Sequence, residues 1–149
     1  MATVSTTRTI NAPIARVWEV FSDIPNGADH LSAITELEVL TEQPFGPGFR
    51  WRETRRMFGR DATEEMWITH AEEPICYEVA AESHGSRYLT RFDFTEVAEG
   101  TRVVFTFTGE PTNAVSKVVD AATGWMLKGT MEKQLSKDLA DLAAACEAS

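Results

Sequence analysis

The sequence predicts an α+β fold in which an antiparallel sheet of about seven strands faces a long C-terminal helix. Three observations lead there. From Thr35 to Thr108 apolar residues fall mostly in short alternating runs bounded by turn residues, the period of half-buried strands. The last 37 residues, from Asn113, contain no proline and are rich in helix formers. Ahead of the alternating region, "NAPIARVWEVFSD" and "DIPNGADHLSAI" read as two short helical segments.

Residues 4–10, with several Thr, a Val and an Ile, form the first strand. In the first helix Pro13 suits the opening turn, with Asn11 or Ala12 at the cap, and Ile14, Val17, Trp18 and Phe21 bury one face. Pro25 and Gly27 break the chain into a second short helix or turn. Then comes "GFRWRETRRMFGRDATEEMWI" (48–68), two strands folded back on a tight turn. With Gly59-Arg60 as a two-residue turn, Arg55 pairs with Glu64, Glu53 with Met66 and Trp51 with Ile68. All six project to one face, because side chains alternate along a strand.

The next hairpin turns at "SHGS" (83–86) and pairs Ala81 with Tyr88, Val79 with Thr90 and Tyr77 with Phe92. The third turns at "VAEGT" and pairs Phe94 with Val103, Phe92 with Phe105 and Thr90 with Phe107. One face of this meander is apolar and aromatic; the other carries Glu78, Glu82, Arg87, Arg91, Asp93 and Arg102. In the C-terminal helix, Val115, Val118, Val119, Ala122, Trp125, Met126 and Gly129 share one arc. Leu135, Leu139, Leu142 and Cys146 share another, rotated by about 130° at roughly 100° per residue. A straight rod cannot turn both arcs to one sheet, so a bend or break is expected between Gly124 and Met131.

A chain of 149 residues suits one domain, 1–149, with a sizeable core. A net charge of −9 disfavours nonspecific binding to nucleic acid or anionic lipid. No run of apolar residues is long enough to span a membrane, and "MATVSTTRTI" lacks the apolar stretch of a secretion signal, so the cytoplasm is the expected compartment. Cys76 and Cys146 are expected as reduced thiols. His30, His70 and His84 sit in different contexts without metal-ligand spacing, so neither metal nor cofactor is expected. Phosphate loops and nucleophile elbows are likewise missing.

Several pieces in this order resemble the START and polyketide cyclase/dehydrase-like superfamily (SRPBCC): "INAPIARVWEVFSDIPNGADHL", "GPGFRWRETR", "ITHAEEP" and "FDFTEVAEGTRVVFTFT". The resemblance implies a helix-grip fold, a curved sheet wrapped around the C-terminal helix and enclosing a cavity for an apolar or amphipathic small molecule. His30 stands where many relatives carry Trp.

Within that frame Glu53, flanked by Trp51 and Met66, is a carboxylate that needs a partner or a proton. It is the candidate acid/base, with Arg55 as a clamp for a carboxylate or enolate. Arg55 and Glu64 lie close to the turn, where a solvated rim pair is the alternative. Trp51, Glu64, Met66, Tyr77, Tyr88, Thr90, Phe92 and Phe105 are candidate ligand contacts from the sheet, the tyrosine hydroxyls orienting a polar group. Ala122, Trp125 and Met126 are candidates from the helix. Three functions follow: a binder of a hydrophobic, lipid-like or polyketide-like molecule; a cyclase or dehydratase using Glu53; and an interaction module, resembling chaperone activators, using Arg50, Arg52 and Arg56 on the outer face. The oligomeric state, a homodimer included, stays open.

Overall fold

In the computed structural model the chain opens with β1 (Ala2–Ile10), α1 (Ile14–Phe21), a 3-10 turn (Ile24–Asn26) and α2 (Gly27–His30). Six strands follow: β2 (Ile34–Val39), β3 (Arg50–Met57), β4 (Arg60–Glu72), β5 (Cys76–Ser83), β6 (Ser86–Val97) and β7 (Gly100–Pro111). The last element is α3 (Ala114–Glu147). The structure describes residues 2–57, 59–83, 86–111 and 114–148, and their side chains except at 2, 57, 60, 83, 86 and 110–130.

The strands form one antiparallel sheet in the order β1-β7-β6-β5-β4-β3-β2. Consecutive strands pair as neighbours except β1, which returns beside β7 and leaves β1 and β2 as the two edges. The sheet is curved, the helix-grip arrangement expected from the sequence. Register shifts between Ile34 and Glu36 and between Ile68 and His70 mark irregularities in β2 and β4, and bulges of this kind bend a strand.

The registers of β5 with β6 and of β6 with β7 are those read from the sequence. That of β3 with β4 is not. Met57 pairs with Arg60, so Gly59 falls before the second strand rather than opening the turn, and it carries a positive φ of +77°. Arg55 consequently lies across from Ala62, Glu53 from Glu64, and Trp51 from Met66. The slip is two residues. Since the side-chain period is also two, every residue keeps its predicted face.

α1 begins one or two residues later than its expected cap: Pro13 itself is the N-cap, in extended conformation. Trp18 and Phe21 then pack edge-on against the inner face of the sheet. Ring centroids are 5.9 Å apart for Trp18–Phe94, 5.8 Å for Trp18–Tyr77 and 5.3 Å for Phe21–Phe92. The buried Tyr77 hydroxyl donates to the Phe21 carbonyl at 2.8 Å and ties this corner together. Tyr77→Phe should lower stability by about 1 kcal/mol, measured by urea unfolding, because it strands that carbonyl; an unchanged midpoint would mean that the bond contributes nothing.

α3 is assigned as one helix without the interruption expected between Gly124 and Met131. The arc from Val115 to Gly129, with Ala122, Trp125 and Met126, lies outside the residues whose side chains are described. In the second half Leu135, Leu139, Leu142 and Cys146 are all buried, as their spacing predicts. Each buried leucine contributes roughly 1.5–3 kcal/mol. This half of α3 is therefore firmly seated. Cys76 and Cys146 are separate buried thiols, and burial pushes the Cys146 thiol up to about 11.

Candidate functional site

Between the inner face of the sheet and the second half of α3 lies a cavity of about 760 Å³. From the sheet, Trp51, Glu53, Arg55, Glu64 and Met66 line it on β3 and β4, and Tyr77, Tyr88, Thr90, Phe92 and Phe105 on β5 to β7. The structure therefore brings together the sheet residues expected as ligand contacts or acid/base groups. From α3 come Met131, Gln134, Leu135, Asp138 and Leu142, and His30 closes part of the wall from α2.

The charged part of the wall is a relay that begins on β3. Trp51, Glu53 and Arg55 are spaced by two and share a face. Trp51 Nε1 donates to Glu53 Oε1 at 2.9 Å, and Arg55 Nε donates to Glu53 Oε2 at 2.7 Å. Arg55 then crosses to the helix, where its Nη1 donates to Asp138 Oδ2 at 2.7 Å. The guanidinium is the joint between sheet and helix. Its side chain is 20% exposed, against 7% for Glu53 and 6% for Asp138, so this is a mostly buried bridge rather than the solvated rim pair considered from the sequence. The correction comes from the helix side: Asp138 on α3 reaches the Arg55 guanidinium, while Glu64 lies across from Glu53.

The electrostatics single out Asp138. Burial, with repulsion from Glu53 and Asp141, raises its carboxyl above the ordinary 3.8 despite the attraction of Arg55. Its Oδ1 is buried without a hydrogen-bond partner among the described residues. Burial works against the Arg55 charge, but Asp138 and Glu53 outweigh it, and the guanidinium is held above its ordinary value. A carboxyl raised in the folded state contributes stability below pH 3.8 that is lost as pH climbs through the folded-state value. Raising pH from about 3.5 toward neutrality should therefore lower the Tm of wild type relative to Asp138→Asn, read by calorimetry. A difference that does not change with pH would contradict the shift.

Asp138 escaped the sequence reading, although a signal was there. It stands three residues after Leu135 and four before Leu142, a carboxylate inside the apolar arc of α3. The tyrosines divide. The Tyr77 ring lines the cavity while its hydroxyl is committed to Phe21, which corrects its expected role toward a ligand. Tyr88 is half-buried and stacks on Phe107 at 5.6 Å. Trp125, Ala122 and Met126 lie outside the described side chains.

The outer arginines are all engaged. Arg50 bonds Glu65 at 2.6 Å and sits 4.6 Å over the Trp67 ring, Arg52 bonds Glu38 at 3.1 Å, and Arg56 pairs with Asp61 at 3.3 Å. The expected Arg-rich docking face is thus charge-compensated strand by strand. On the same outer side, His70, Glu72 and Cys76 hold donor atoms within 4.8 Å of one another. Sequence spacing does not show this cluster because its members meet across the β4–β5 turn. It has no part in the cavity.

A curved antiparallel sheet closed over a C-terminal helix, with a largely apolar cavity between them, defines the helix-grip class. Residues 1–147 match the family described as polyketide cyclase / dehydrase and lipid transport, within the SRPBCC superfamily, and the chain belongs to that family. Among curated proteins none matches it. Solved structures share its fold. A protein of Thermus thermophilus, TTHA0849, is 23% identical with a TM-score of 0.79, covering 97% of this chain and 96% of its own. The Zhui aromatase/cyclase from Streptomyces sp. R1128 is 18% identical with a TM-score of 0.80, covering 97% and 93%. The di-domain ARO/CYC StfQ of the steffimycin biosynthetic pathway is 8% identical with a TM-score of 0.82 over 98% of this chain, which spans 51% of StfQ. Among the described residues no helix is long and apolar enough to cross a membrane.

Proposed function

We propose that the chain is a ligand-binding domain that takes an apolar or amphipathic small molecule, lipid-like or polyketide-like, into the cavity between sheet and α3. The carrying observation is the cavity itself. Its volume of about 760 Å³ falls within the range of small-molecule sites, and its wall is mostly aromatic and aliphatic, with a minority of polar and charged side chains. Native mass spectrometry of freshly purified protein should show a retained small molecule, or, after extraction, 1:1 uptake of the apolar fluorophore N-phenyl-1-naphthylamine. Protein that retains nothing and takes up no fluorophore would contradict the reading.

One observation favours a second, catalytic reading. Asp138 presents a raised carboxyl and an unpartnered oxygen beside Arg55, a pairing that suits proton transfer at a carbonyl substrate. As carboxylate, Asp138 would take an α-proton from the substrate, leaving an enolate. The enolate carbon then bonds to a second carbonyl carbon, and the proton passes to the resulting alkoxide. Glu53, with both oxygens bonded, would position Arg55 rather than move the proton. Turnover of a candidate polyketone should disappear in Asp138→Asn and fall less in Glu53→Gln; the reverse order would restore Glu53 to the acid/base role.

A further inference from the structure

We infer that the cavity selects its guest by charge, accepting a cationic or neutral head group and excluding a carboxylate. The inference rests on the cavity being the binding site. Among the described residues its wall carries four carboxylates, Asp23, Glu53, Glu64 and Asp138, against one guanidinium, Arg55, and one imidazole, His30. Arg55 is the group that would ordinarily anchor an anionic head. Here its single positive charge is already shared between two carboxylates, Glu53 and Asp138, each at 2.7 Å. A third carboxylate would compete for one cation while facing two anions that are 6% and 4% exposed and poorly screened by salt.

The same geometry offers something to a donor. Asp138 Oδ1 is a buried oxygen that accepts no hydrogen bond among the described residues, and such atoms are ordinarily satisfied. A guest bearing an N–H or O–H group supplies the missing partner, and an ammonium adds charge assistance. The remaining wall, including Val79, Phe107, Leu135 and Leu142, suits an alkyl chain or ring system. The guest class is therefore an apolar body ending in a protonated amine, or in a hydroxyl, rather than a fatty acid.

The test is displacement of N-phenyl-1-naphthylamine, an uncharged reporter, by dodecylamine, dodecanol and dodecanoate at neutral pH and fixed ionic strength, below micellar concentrations. Dodecylamine should bind at least about tenfold more tightly than dodecanoate, with dodecanol between them. Asp138→Asn should shrink that ratio. Glu82→Gln, which removes one negative charge from the exposed outer face, should leave it unchanged. Dodecanoate binding as tightly as dodecylamine overturns the inference while leaving the cavity a binding site. A ratio that falls in Glu82→Gln but not in Asp138→Asn also overturns it, since net charge alone would then explain the preference. If reporter and all three amphiphiles fail to bind, the binding reading falls and this one with it.

Discussion

Arg55→Leu is expected to lower the unfolding free energy by about 3–5 kcal/mol, the usual cost of removing one partner from a buried ion pair. The reason lies in one side chain. Among the described residues Arg55 is the cation paired with both Glu53 and Asp138, each of them buried, and its loss strands two carboxylates at once. Arg55→Lys should recover only part of the loss, since an ammonium is a compact charge and cannot bridge two carboxylates as a planar fork does. Urea unfolding decides it. A cost below about 1 kcal/mol would place the cluster with exposed surface pairs. The triple replacement Glu53→Gln, Arg55→Met, Asp138→Asn should be milder than Arg55→Leu alone, because no charge is then left unpaired.

Filling the cavity should abolish binding without unfolding the chain. Thr90 lies on β6 between Val79 and Phe107, is only half-buried, and lines the open space rather than the packed corner under α1. Thr90→Trp places an indole in that space. Affinity for N-phenyl-1-naphthylamine should fall at least about tenfold, a loss near 1.4 kcal/mol, with Tm changed by only a few degrees. Retained affinity would locate the fluorophore elsewhere. A collapsed Tm would show that the space around Thr90 is already packed.

Most of the fold could be read from the chain because its signals are local. The alternation through "YEVAAES" and "RFDFTEV" fixes which face is dry, and the turns at 83–86 and 97–100 fix the partners. The hairpin around Gly59 shows the limit. Glycine can take the first or the second position of a two-residue turn, and only the backbone shows that Gly59, with φ of +77°, does not open it. The faces survived that two-residue slip, so Trp51, Glu53 and Arg55 were rightly grouped. The partner of Arg55 was not legible. Asp138 is 83 residues away, and no short-range pattern connects a strand residue to one helix position at that distance. Reading the lone acid within the Leu135–Leu142 arc as a buried charge in need of a cation would have found it.

The central claim is that a guest sits between the sheet and α3, in contact with both. Met66 on β4 and Met131 on α3 line opposite sides of the cavity and offer one methyl group each. In methionine-methyl-labelled protein, bound N-phenyl-1-naphthylamine should give nuclear Overhauser contacts to the methyls of both residues at once. Contacts to neither, or to methyls away from this wall alone, would contradict the account.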